Sequence, residues 1–322
     1  MTSSNKLRLS IVEETTHGTT PASPAMLVVE AKSQGWSPNA PKVENENIRQ
    51  DGRIASMVPM NRSASGRFDA DLTYPTVNQG LWSLVRAVLH AAEIAAASDV
   101  LSGASNGISA GGTTIVRTAG DFTTNWRVGD IGKVTNATNT LDNRYFIVTA
   151  VTALSMTVQL VGFPGLGTVW LATDTDITVS RAARMRDSTA TTERAFSVEV
   201  AWLDLQKMFV ATGQVANSLR ISFAMGQKTT VQVGFTGRDV AGSNMASATV
   251  GIAGATYTLP TEVPVFSPAR AIHVAIAGVS YPVRSLDIEI TRRATIGHST
   301  EGGAVPDRVG MGALRVKLTW SA

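Results

Sequence analysis

Residues 208–239, MFVATGQVANSLRISFAMGQKTTVQVGFTGRD, carry the reading that decides the fold. From Leu219 the apolar positions alternate: Leu219, Ile221, Phe223 and Met225 point one way, Arg220, Ser222 and Ala224 the other. A period of two is that of a half-buried strand. After the AMGQKTT connection, Val231, Val233 and Phe235 repeat the pattern, so the two segments predict a β-hairpin with one buried face. The start of the run, from Met208, reads as a short helix leading into the first strand. A covered sheet follows, with no catalytic residue implied.

Outward from this run, other blocks fall into a consistent order. Near the beginning stand RLSIVEETTHGTTPASP, IRQDGRIASM and SASGRFDADLTY; near the end stand SLDIEITRRATIG, the loop GGAVPDRVGMG and the closing ALRVKLTW. With the 208–239 run, they closely resemble the corresponding stretches of bacteriophage major tail tube proteins of the long-tailed, siphovirus-like kind. The specificity lies in the order of several weak signals, since no block is diagnostic alone. The resemblance implies a non-enzymatic virion protein with a tail-tube β-sandwich or barrel. It implies hexameric rings that continue their sheets into one barrel around a lumen, then stack into a tube through which double-stranded DNA passes. The implied partners are further copies of the chain, a tape-measure protein inside the tube, and tail terminator and tail-tip proteins at its ends. Assembly in the host cytoplasm is part of the same expectation.

Composition permits this reading. A chain of 322 residues can bury a sizeable core in one or two domains. The absence of cysteine removes disulfides, thiolate zinc sites and cysteine nucleophiles together. The start, MTSSNKLRLS, has no apolar core of signal-peptide length, and no stretch approaches the ~20 apolar residues that span a bilayer. A net charge of +3 is small, and its lysines and arginines are dispersed without a basic block of interleaved aromatics. Abundant Gly, Ser, Thr, Ala and Val in short alternating segments predict a mainly β protein.

Two segments depart from that texture. Residues 78–97 predict one flanking amphipathic α-helix, with Leu81, Val85, Val88 and Ala92 on one stripe and Gln79, Ser83, Arg86, His90 and Glu93 on the other. Asn78 is its expected N-cap. Residues 100–186 open with the glycine-rich SGASNGISAGG and then show short strands, predicting an inserted small β subdomain. In this division 1–99 and 187–322 form the two parts of the tail tube domain. Gly129 and Asp130 are expected near a turn, and Tyr145, Ile147 and Val148 in or beside the core of a small barrel. Leaving from a surface loop, the insertion is expected on the tube exterior.

Several motifs have blander readings. Residues 103–107 satisfy G-x-S-x-G, but they follow a predicted helix end and run into more glycine, whereas a nucleophile elbow needs strand, then serine, then helix. MGQKTT lacks the earlier glycine of a phosphate-binding loop and reads as a turn. The four histidines, His17, His90, His273 and His298, lie far apart without metal-ligand spacing, and His90 is expected on the solvated helix stripe. Neither metal nor cofactor is called for. Trp82, Trp202 and Trp320 fall in phase with apolar faces, predicting core packing. A carbohydrate-binding β-sandwich module of a phage tip or surface protein is the alternative reading.

The non-core faces of the strands differ in charge. Asp69 and Asp71 share one strand, Glu199 occupies another, and Asp287 and Glu289 a third, while Arg220, Arg315 and Lys317 lie on two others. The acidic set is expected to line the channel, where a negative wall repels DNA phosphates and a basic wall would bind them by counterion release. The long Gly- and Pro-punctuated stretch 31–62 suits contacts between rings, with Trp36, Arg49, Asp51 and Arg53 as candidates.

Overall fold

The structure is a computed structural model that describes residues 6–39, 41–44, 57–59, 63–73, 79–90, 93–161, 167–185, 193–245, 251–261, 272–276, 279–297 and 308–321. The chain divides into two compact units, Met1–Ala91 with Asp187–Ala322, and Ala92–Arg186.

The first unit is built on an eleven-stranded sheet. Its strands are β1 (Leu7–Glu13), β2 (Ala25–Val29), β3 (Ser33–Asn39), β4 (Ser63–Asp71), β5 (Ala195–Trp202), β6 (Lys207–Ala224), β7 (Thr230–Gly237), β8 (Asp239–Asn244), β9 (Thr256–Thr258), β10 (Ser285–Gly297) and β11 (Arg308–Ser321). The order is β9-β2-β1-β5-β6-β7-β4-β3; β8 and β10 also pair with β6, and β11 pairs with β10. The predicted hairpin is present, with Leu219 opposite Val233 and Ile221 opposite Val231. Its first arm is longer than expected. Where a short helix was predicted from Met208, β6 runs unbroken for 18 residues. Its first half lies between β5 and β8 and its second half between β7 and β10. Val210, Thr212 and Val215 are β-branched and Gly213 is a poor helix former, so two flanking ladders decide the conformation. At Gly213, φ is +61°, where the register with β5 shifts.

One helix, α1 (Gln79–Leu89), covers the apolar face of this sheet. Leu81, Leu84, Ala87 and Val88 are fully buried and join Phe68, Val198, Val200, Leu219, Val231 and Val233 in one core. Burial contributes roughly 2 kcal/mol for each large aliphatic side chain. The helix stops well before the predicted residue 97. His90 takes a left-handed conformation (φ +49°), and its Nε2 lies 3.2 Å from the Ala216 carbonyl oxygen. His90 is therefore buried, not on the solvated stripe, because the turn folds its ring back over the sheet. Asn78 lies outside the described residues. Ala97, expected at the helix end, begins a strand opposite Arg181.

The second unit is a seven-stranded antiparallel sheet in the order Ala97–Leu101, Ile177–Arg181, Ile131–Thr135, Tyr145–Val151, Ser155–Leu160, Thr114–Val116, Gly107–Ile108. A bridge between Ile108 and Asp174 ties its last strand to the segment leading into Ile177–Arg181, so the sheet curls toward closure. Trp126, Trp170, Phe122 and Phe146 fill its centre. Val148 is buried as expected and Gly129 turns the chain at φ +88°. Tyr145 is not in the core: alternation puts Phe146 inward and leaves the tyrosine 51% exposed. The entry and exit of the unit meet, because Arg184 pairs with Ile94 and Met185 with Glu93. The unit begins before the change of texture at Val100 because Ala97–Leu101 belongs to its sheet.

Candidate assembly surface

The face of the main sheet opposite α1 is polar, and the registers align its charges in rows. Asp69, Gln232, Arg220, Glu289 and Lys317 are successive cross-strand neighbours on β4, β7, β6, β10 and β11. Asp71, Thr230, Ser222, Asp287 and Thr319 form the next row. The four carboxylates thus share one face, but not alone. Arg220 lies 3.4 Å from Asp287, Lys32 pairs with Asp71, and Lys228 lies 3.7 Å from Asp71. Asp69 accepts from Ser33 Oγ at 2.5 Å and from Gln232 Nε2 at 2.7 Å. The face therefore alternates in sign instead of presenting a uniform negative wall. Such exposed pairs are worth about 0–1 kcal/mol each, so they set charge distribution more than stability. Asp287 is held below its ordinary pKa. The Ser222 hydroxyl bonded to it is the main cause, and the Arg220 guanidinium adds to it.

Glu199 points to the same side of the sheet, since its neighbours Val198 and Val200 enter the core under α1, but it is covered there, which corrects the expectation that it stands on an open wall. It is fully buried, with Arg8 Nη2 at 2.9 Å and Ser10 Oγ at 3.3 Å on Oε1, and Tyr257 Oη at 2.7 Å on Oε2. The Ile252 amide also donates to Oε2, at 3.1 Å. Arg8 lies over the Tyr257 ring at 3.6 Å. The carboxylate thus holds residues 251–258 against β1 and β5. Sequence reasoning missed the cluster. Its available signal was the run AFSVEVAW, where Glu199 is the one charged residue in a mostly apolar strand that is almost wholly buried.

The apolar face continues past the helix, and among the described residues nothing covers it there. Leu219, Ile290 and Val316 form one cross-strand row, Ile221, Ile288 and Leu318 the next, and Phe223, Leu286 and Trp320 a third. Leu219 is buried, but Val316, Leu318 and Trp320 on β11 are 55%, 53% and 46% exposed. Trp320 was expected in the core; its strand has the right alternation, yet no layer of the described chain covers it. Among the described residues β11 is also an edge, pairing with β10 alone.

Trp36, a candidate for contacts between rings, packs within the chain. Its indole lies over Gly66, with ring centroids 6.2 Å from Phe209 and 5.8 Å from Phe235. Arg49, Asp51 and Arg53 lie outside the described residues. The G-x-S-x-G string follows a strand, not a helix, and occupies a turn in which Asn106 Oδ1 accepts from the Thr118 amide at 2.6 Å. The serine leads into the short strand Gly107–Ile108, not into a helix. Among the described residues no group of three or more His, Asp or Glu is placed to hold a metal, and no helix is long and apolar enough to cross a membrane.

No curated protein matches the chain. A model of the family described as phage tail tube protein matches residues 4–321, nearly the whole length. With a mainly β fold and an apolar sheet face left open at an edge strand, the chain belongs to the phage tail tube protein family and is a structural component of the phage tail.

Proposed function

We propose that the chain forms hexameric rings that stack into the tail tube, joining the main sheets of neighbouring copies around a lumen that conducts DNA during ejection. The observation that carries this reading is the uncovered row of Val316, Leu318 and Trp320 on an edge strand. An exposed edge with apolar side chains is an open template for another chain, and ring closure removes it. The number of subunits rests on the family resemblance, as do the tape-measure, terminator and tip partners and the siphovirus-like tail.

The face away from α1 is the one we place toward the lumen, with Asp69, Asp71, Asp287 and Glu289 among its residues. Each acidic position has a cation or hydrogen-bond donor beside it, so the wall carries little excess positive charge to bind phosphates through counterion release. We place the second unit, whose entry and exit pair as one short ladder, as a decoration on the tube exterior. Arg49, Asp51 and Arg53 remain our candidates for contacts between rings.

The test is Leu318→Asp and Trp320→Asp, followed by negative-stain electron microscopy of the purified chain at high concentration. Loss of rings and tubes with unchanged circular dichroism and melting is the expected result. Tubes of normal length from both variants would show that this face takes no part in assembly.

A further inference from the structure

The rows of the main sheet cross six strands in the order β3-β4-β7-β6-β10-β11, each neighbouring pair antiparallel. Among the described residues β3 pairs with β4 alone and β11 with β10 alone, so this run ends in two open edges. An antiparallel run with an even number of strands begins and ends on strands of opposite direction. Two copies set side by side in the same orientation therefore bring β11 of one against β3 of the other as one more antiparallel pair. A β11–β11 contact would instead need a two-fold axis, which closes a dimer and not a ring.

The two edges also agree face by face. On the side of the apolar rows, Val316 and Leu318 stand at one edge and Gln34 and Trp36 at the other. On the polar side, Arg315 and Lys317 stand at one edge and Ser33, Gly35 and Ser37 at the other. Their sizes are complementary. The β11 side chains are long and exposed, whereas a Cβ at Gly35 would have no atom within 4 Å, so the space over β3 is open. Behind this strip Asp69 is the cross-strand partner of Ser33, and Arg67 that of Gly35. The described donors to Asp69, Ser33 Oγ and Gln232 Nε2, are both uncharged. A β11 cation over Ser33 thus gains a carboxylate, and one over Gly35 meets a like charge, which selects the register with Arg315 opposite Ser33.

We propose that β11 of one copy pairs with β3 of the next, Arg315 lying over Ser33 toward Asp69; this rests on the tube reading and names the strands that join. The chain has no cysteine, so every disulfide in a variant comes from introduced residues. Ser33→Cys is combined with Arg315→Cys, with Lys317→Cys or with Thr319→Cys, all exposed positions of the polar face, and each single variant is the control. Directly opposite residues have Cβ atoms about 5 Å apart, near enough to bridge, and positions two residues out of register do not. Assembled protein, checked by electron microscopy, is oxidised and run on a denaturing gel without reductant. The expected result is a ladder of linked multimers from the Ser33/Arg315 pair, ending at the number of copies in one ring, with the single variants monomeric. A ladder from another pair keeps the β3–β11 contact and overturns the register. Tubes in which all three double variants stay monomeric, or a β11 single variant that links to itself, overturn the pairing and leave the tube reading standing. Absence of rings and tubes from the unmodified chain under the same conditions counts against the tube reading, and the pairing falls with it.

Discussion

The phenolic hydroxyl of Tyr257 donates to Oε2 of the buried Glu199 at 2.7 Å, joining a three-residue strand at one end of the main sheet to a strand near its middle. Burial, and then the hydrogen bond and charge of Glu199, push the Tyr257 hydroxyl up to about 12. Its folded value lies above the unfolded one, so its contribution is whole below pH ~10 and is lost as pH rises toward 12. Tyr257→Phe is expected to lower stability at neutral pH by about 1.5 kcal/mol and to flatten the alkaline decline. Urea unfolding at pH 8 and at pH 11 checks both; an unchanged alkaline slope would assign the decline to other groups.

Glu199→Gln keeps the volume but leaves the Arg8 guanidinium without its charge partner. Breaking a buried pair in this way costs roughly 3 kcal/mol. The loss should appear first as faster hydrogen exchange at Ile252, whose amide donates to the same carboxylate. Exchange at Ile252 unchanged from wild type would show that the carboxylate does not hold this segment.

Asp287 titrates low chiefly because the Ser222 hydroxyl donates to it, with Arg220 second. Ser222→Ala should raise its midpoint toward 3.8, and by more than Arg220→Gln does. Carboxyl-carbon NMR titration reads both. Because the folded value is depressed, this contribution to stability is present above pH ~4 and is lost as pH falls through the folded value. Equal shifts from the two variants would assign the effect to charge and not to the hydrogen bond.

Trp36 lies opposite Gly66 across the β3–β4 ladder, and its ring covers the backbone where a side chain is missing. An aromatic ring over a strand glycine restores packing that glycine cannot supply. Trp36→Ala should lower the stability of the unassembled chain by about 2 kcal/mol, measured in dilute monomer by denaturant. A stable monomer that fails only in tube formation would return Trp36 to a role between rings.

Gly132 sits against the aromatic centre of the second unit. A Cβ there would meet Trp126 Cζ3 at 2.7 Å and the Phe146 ring closer still. Gly132→Ala should cost about 2 kcal/mol of overpacking, with faster hydrogen exchange in 97–181 and unchanged exchange in β5 to β7. Equal acceleration in both units would mean that they unfold as one.

Strand character, the 219–235 hairpin and the presence of α1 were legible because period-two and helical apolar patterns reflect burial that local sequence encodes directly. The helix expected from Met208 and the helix extension to residue 97 were not, since in both cases partner strands distant in sequence supplied the hydrogen bonds. His90 and Tyr145 show the same limit from opposite sides. A left-handed turn carried one inward, and a one-residue phase placed the other outside. The acidic candidates lie on strand faces turned away from the core under α1, but Glu199 on that side is covered by residues 251–258. What escaped was register: Arg220 and Lys317 become neighbours of Glu289 only when β6, β10 and β11 pair.

By itself the sequence determined a mainly β chain with an apolar face along each long strand, one amphipathic helix and a compositionally distinct insertion, because alternation and composition are local properties. Only the tertiary structure decided which polar residues remain on the open face, that Glu199 is buried against Arg8 and Tyr257, and that Val316, Leu318 and Trp320 are left exposed. Those outcomes depend on which strands become neighbours, and strand pairing is a long-range choice made by the whole core.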